Sequence, residues 1–240
     1  MDKEKKQRLE ETVASIRHEY GEDAVRPLRD SDARVAAPHL PTGFATLDQA
    51  LGGGVPRGSL TEFHGIASSG LTTVTFRVLA NAQAEGDTAA YIDLTSTFDG
   101  EHAVRCGVNV STLFLVRPDS RRKGLSITHD LISLKAVGII VLDFGVRSPV
   151  GQETAREIRA ISSLLAHSDI ALIVLHSFSA QVSAPLSQQA SLRLQFELQD
   201  WLHRANDIRG WRSLVTIQKS RRGPPGRVVN ILIKLHKDAP

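Results

Sequence analysis

Gly65 and Gly70 bracket Ile66-Ala67-Ser68-Ser69, with Leu71-Thr72-Thr73 directly after them. Two glycines at this separation, between an apolar run and a helical one, let the backbone close into an amide-lined cup at a helix N-terminus. Such a cup cradles phosphate. The Thr72 hydroxyl stands where magnesium would be held. The residue between Gly70 and Thr72 should be a lysine, whose ammonium bridges the β- and γ-phosphates. Here it is Leu71, which supplies no charge and sets an apolar group there instead. The residues able to cradle a nucleotide are thus Gly65, Ser68, Ser69, Gly70, Thr72 and Thr73. Two readings stay open: a tight strand-to-helix turn kept for its backbone geometry, and a residual site that holds ATP and magnesium weakly. Neither supports efficient γ-phosphate cleavage, so no catalytic residue is assigned and no cofactor is required.

Asp143 ends the apolar run Val137–Leu142. In a phosphate-loop protein an aspartate there orients magnesium through water, yet a polar residue at a strand's C-terminal end is common in any α/β protein. Nine histidines are scattered without metal-ligand spacing. Cys106 sits on an apolar helix face before Gly107 and reads as packed rather than reactive. Basic residues gather at Arg121-Arg122-Lys123, read as a solvated turn, and at Lys219, Arg221, Arg222 and Arg227. The second cluster flanks Gly223-Pro224-Pro225-Gly226, an exposed hairpin tip suited to touching a partner. Trp201 and Trp211 flank Asn206-Asp207 in an expected loop, packed at the sheet edge.

The elements that must carry these groups follow from periodicity. Residues 2 to 20 set charges around a sparse apolar stripe, Leu9, Val13 and Ile16, at helical spacing. Residues 21 to 40 read as a linker. Strands are expected at Ser59–His64, Thr88–Leu94, Thr112–Val116, Val137–Asp143 and Ile170–His176. Helices are expected at Leu71–Ala84, Phe98–Cys106, Gly124–Leu134 and Glu153–His167. Strands alternating with helices imply a parallel sheet. Leu192, Leu194, Phe196 and Leu198 alternate with polar residues, the mark of a strand with one wet face. Ser213–Lys219 and Val228–Lys234 read as a closing antiparallel hairpin. Residues 1–37 form an N-terminal helix and linker, and 38–240 the core.

Composition sets bounds. The chain is 41% hydrophobic and 23% charged, with a formal net charge of +3, ordinary for a soluble globular protein. Its apolar runs are too short to span a membrane, so no membrane partner is expected. One cysteine precludes an intrachain disulfide and fits a reducing cytoplasm.

The chain resembles the RecA recombinase family over nearly its whole length. Leu40-Pro41-Thr42-Gly43-Phe44-Ala45-Thr46-Leu47-Asp48, Leu51-Gly52-Gly53-Gly54 and Pro56-Arg57-Gly58 are similar to the family's lead into its phosphate loop, and Gly65–Thr73 falls on the loop. Tyr91-Ile92-Asp93 resembles the next strand, Val141-Leu142-Asp143 the magnesium-orienting strand, and Gln218-Lys219-Ser220-Arg221 the late strand carrying basic residues to a subunit interface. The helix from Asp2 to Gly21 looks like the arm that packs on a neighbouring protomer. The resemblance implies a RecA-like phosphate-loop NTPase core, its mostly parallel sheet ending in an antiparallel hairpin and preceded by an N-terminal helix.

Departures carry the functional expectation. The family's catalytic glutamate falls on Thr95, and its γ-phosphate-sensing glutamine near Ser177. Lysine, glutamate and glutamine are all missing, as in a pseudo-ATPase. The segments after Asp143 and His176 are short for DNA-binding loops, and the family's separate C-terminal domain is missing. A shortened frame with a worn ATP site is most similar to the RecA-related accessory subunit of the bacterial inducible-mutagenesis cassette. That likeness implies DNA damage tolerance through translesion synthesis. The implied partner is a Y-family polymerase homologue or another mutasome component. Association with a RecA filament or with itself, and weak DNA contact, are further expectations. Lys219, Arg221, Arg222, Leu9, Val13 and Ile16 would supply the interface. Two rivals remain: an ATP-dependent recombination protein completed in trans by Lys219 or Arg221, and a single-stranded DNA binder.

Overall fold

The computed structural model describes residues 3–21, 24–25, 38–145, 152–177, 184–204, 207–221 and 223–235. The chain divides into two compact units, residues 1–36 and 37–240.

The first unit is built on α1 (Lys3–Tyr20). Its Lys6–Glu10 and Gln7–Glu11 pairs are one turn apart, the spacing that supports an isolated helix. Gly21, at φ 98°, ends it by donating its N–H to Arg17 O at 2.9 Å. Leu9 is 55% exposed, and Val13 and Ile16 are half-exposed.

The second unit opens on β1 (His39–Leu40), α2 (Ala45–Leu51) and β2 (Val55–Pro56), with β1 and β2 paired antiparallel. Here Asp48 Oδ1 accepts the Thr42 N–H at 2.7 Å. β3 (Ser59–Gly65) feeds α3 (Leu71–Ala84), followed by β4 (Ala89–Asp93), α4 (Gly100–Arg105), β5 (Leu113–Val116) and α5 (Arg121–Ser133). Next come β6 (Ile139–Asp143), α6 (Gln152–Leu165), β7 (Ala171–Ser177) and α7 (Ala184–Gln189). β8 (Leu192–Arg204), β9 (Asp207–Ser220) and β10 (Val228–Lys234) close the chain. β3 to β10 form one eight-stranded sheet in the order β10-β9-β8-β3-β7-β6-β4-β5. Pairing is parallel from β5 to β8 and antiparallel from β8 to β10. This is the expected α/β architecture of a mostly parallel sheet with an antiparallel end.

Strand alternation splits the interior into two cores. Phe63, Leu71, Val74, Tyr91, Val141, Trp211 and Ile233 belong to one, under α3. Leu60, Ile92, Leu142, Ile158, Leu172 and Leu186 belong to the other, under α5, α6 and α7.

Two local expectations are corrected. Trp201 and Trp211 lie on β8 and β9 as cross-strand partners, ring centroids 5.8 Å apart, because both strands run past the ends foreseen for them. Arg121-Arg122-Lys123 is the first turn of α5, not a free turn, because Ser120 caps the helix by accepting the Lys123 N–H at 3.3 Å. The expected closing hairpin is present as β9 and β10, and β8 joins it, pairing with β9 from Leu192 to Arg204 with bulges that absorb its slips in register.

Candidate nucleotide site

β3 delivers Gly65 to the loop, and α3 starts at Leu71. Ser68 at φ 64° and Gly70 at φ 90° take left-handed backbone, so the turn between strand and helix is tight. Ile66, Ala67 and Ser68 are exposed, whereas Ser69, Gly70, Leu71 and Thr73 are buried. Leu71 is 6% exposed and packs in the core that holds Phe63, Val74 and Ile233. Thr72 is half-exposed. The Thr73 hydroxyl lies 3.0 Å from His102 Nε2, and burial, with the Arg105 charge beside it, lowers the His102 pKa.

Asp143 and Asp93 end the adjacent strands β6 and β4 in register, and both are committed inside the chain. Asp143 Oδ2 accepts the Tyr91 hydroxyl at 2.6 Å and Oδ1 the Gly145 N–H at 2.8 Å. Burial raises the Asp143 carboxyl above its ordinary range, against the pull of those two bonds. Burial likewise pushes the Tyr91 phenol well up. Asp93 has the opposite balance. Burial works to raise it, but the N–H groups of Phe98, Thr97 and Thr95 outweigh burial and hold it low. Thr95, at the glutamate position, bonds to Thr97 Oγ1 at 2.9 Å. Ser177 pairs in register with Gly65, which brings the glutamine position to the loop. Its side chain is outside the described residues.

The proposed interface residues fall in different places. Lys219 Nζ donates to the carbonyls of Ser187 at 2.8 Å and Gln188 at 2.9 Å, and burial lowers its pKa, followed by repulsion from Arg221. Arg221 is exposed, and its N–H bonds to Ser191 O. Arg222 lies outside the described residues. Arg227 Nη1 donates to Ala50 O at 3.1 Å. Cys106 is half-buried near His102, and burial raises its thiol.

A second cluster, on the opposite face of β3, escaped sequence reasoning. Glu62 is fully buried, with Oε1 2.8 Å from His176 Nε2 and Oε2 accepting the Ser187 hydroxyl at 3.2 Å. Arg193 Nε lies 3.0 Å from Glu62 Oε2 without an aligned hydrogen bond, so charge holds that pair. His64 stacks on His176 at 5.5 Å and meets Gln218 Oε1 at 2.9 Å. Gln218 donates in turn to Gln195. Burial works to raise the Glu62 carboxyl, but the His176 bond and the Arg193 charge hold it low. Burial pushes the His64 imidazole down to about 4, against the Gln218 bond. The available signal was Glu62 and His64 two apart on a strand, which share a face. Their partners come from β7, β8 and β9, which sequence spacing does not reveal.

The RecA N-terminal domain family matches residues 7–150. Protein RecA of Herpetosiphon aurantiacus is 31% identical over 93% of this chain and 70% of its own length. Protein RecA of Chloroflexus aurantiacus is 30% identical over 93% and 72%. Protein RecA of Nitratidesulfovibrio vulgaris is 44% identical over 58% of this chain and 39% of its own. Among solved structures, the RadB recombinase superposes with a TM-score of 0.63 at 21% identity, covering 80% of this chain and 94% of that one. That last likeness is one of fold.

Proposed function

The chain belongs to the RecA family, and on that footing we propose that it is a noncatalytic accessory protein of DNA damage tolerance. It acts in translesion synthesis and induced mutagenesis, through contacts with a Y-family polymerase homologue or another mutasome component. The observation that carries this reading is Leu71. The side chain that should be a charged phosphate ligand is an apolar residue buried in the core. The state of Asp143 supports it, with both carboxylate oxygens bonded internally. The stripe Leu9, Val13 and Ile16, exposed Arg221, and Arg222 and Lys219 beside it supply the partner contacts. The test is ATP turnover by the purified protein. No turnover above background supports the proposal, and hydrolysis that Asp143→Ala abolishes refutes it. Copurification with the polymerase homologue, lost in Leu9→Glu/Val13→Glu, tests the partner.

A second reading, an ATP-dependent recombination or repair protein completed in trans, draws on the exposure of Arg221. Lys219 is the weaker donor, because its ammonium already holds the end of α7. ATP turnover that rises with protein concentration and disappears in Arg221→Ala would favour it.

A further inference from the structure

We infer that Trp211 closes the flank of the phosphate loop along which a nucleoside would leave it, so that the site excludes nucleoside triphosphates by shape as well as by lack of charge. This inference rests on the noncatalytic reading. A nucleoside attached to phosphates in the cup has to cross one flank of the first turn of α3. On one flank Thr73 and His102 are bonded to each other, and His102 leans on Phe76 with centroids 5.5 Å apart. The other flank is filled by β9 and β10. Ser213 Oγ donates to Ser69 O at 2.6 Å. A Cβ on Gly70 would collide with Ile233 Cδ1, lie 2.8 Å from Ser213 Oγ and 3.2 Å from Trp211 Nε1.

Trp211 is 8% exposed, and its indole N–H has no partner. The buried Ser69 hydroxyl in the loop is equally unpartnered. Buried donors are normally satisfied, because leaving one unmade costs stability. An indole held there without a partner for its nitrogen is held for its bulk. Trp201 braces it across the hairpin, centroids 5.8 Å apart. Leu71 joins the same apolar cluster, so a lysine placed there alone meets a hydrophobic wall rather than a phosphate.

The test compares binding of a fluorescent ATP analogue with magnesium to the full chain, Leu71→Lys, Trp211→Ser and the double variant. Neither the wild type nor Leu71→Lys should bind, and the double variant should bind at least about tenfold more tightly than either single variant. Hydrogen exchange covers the case in which Leu71→Lys folds poorly. Amides 69–73 should be protected in the wild type and exchange at least about tenfold faster in Trp211→Ser, with Val141 and Leu142 unchanged. Binding by Leu71→Lys as tight as by the double variant overturns the inference. So does exchange at 69–73 in the wild type as fast as at 66–68. Wild-type binding without hydrolysis overturns this inference alone, whereas hydrolysis overturns the noncatalytic reading.

Discussion

The two faces of β3 have been filled in opposite ways. Thr61 and Phe63 look toward α3, where Leu71, Trp211 and Ile233 make an apolar seal beside the phosphate loop. Glu62 and His64 look the other way, into a buried set of charges and hydrogen bonds that draws on β7, β8, β9 and α7. A RecA-type frame places its phosphate chemistry at the loop beside the first face, and here the lysine position of that loop is filled by buried Leu71. The second face keeps a carboxylate and a guanidinium out of water, where they are tolerable only while paired. An apolar seal on one face of β3 thus coexists with a buried network of charges and hydrogen bonds on the other.

The largest contrast comes from mutating each face. Glu62→Gln leaves Arg193 buried without its counter-charge, and should cost about 3–5 kcal/mol. Thermal melting should register this as a fall of roughly 10 °C. Leu71→Met keeps volume and apolarity on the other face and should cost under about 1.5 kcal/mol. Equal losses from the two would erase the distinction.

Acid probes the polar face through His64 and Glu62, while His102 and Asp93, also held low, add their own losses on the α3 side. The folded pKa of His64 is about 4, below its ordinary value of 6.5, so the unfolded chain binds the extra proton first. Its contribution is therefore intact above pH 6.5 and declines as the pH falls toward 4, by about 3 kcal/mol over that window. Glu62, also held low, adds a loss below the ordinary carboxylate pKa. Urea titrations at a series of pH values should show this slope, and His64→Gln should flatten it between pH 6.5 and 4. An unchanged slope in that variant would assign the acid sensitivity elsewhere.

A smaller effect tests the loop's anchor. Ser213→Ala removes the donor to Ser69 O and should cost about 1–2 kcal/mol, with faster exchange of the amides around Gly70. The smallest belongs to the surface. Lys6→Gln breaks an exposed pair on α1 and should shift stability by less than about 0.5 kcal/mol. A larger shift would mean that α1 is more than a solvated helix in the isolated protein.

Much of the fold was legible because its signals are local. The run Val137–Leu142 announced a strand buried on both faces, and Gly65 and Gly70 announced the turn into α3. The distal half of the β8–β9 pair was not, because Trp201-Leu202-His203-Arg204 lacks clean alternation beside its bulges. The site divides similarly. Leu71, Thr95 and Asp143 could be picked out by position. That Asp143 is bonded to Tyr91 and Gly145, and that Lys219 caps α7, depends on contacts between distant segments. The residues at 146–151 and 178–183, where DNA loops were expected to be short, lie outside those described.

The sequence by itself determined the alternation of strands and helices, the placement of the phosphate turn and the loss of its lysine, since each is written in neighbouring residues. Only the tertiary structure decided that Leu71 belongs to the core, that Trp211 and Ile233 close over Gly70, and that His64 and His176 stack beside Glu62. The reason is physical. Burial, and with it the ionisation of Glu62 and His64, is set by whichever strands the sheet brings alongside β3, and those strands begin more than a hundred residues further along the chain.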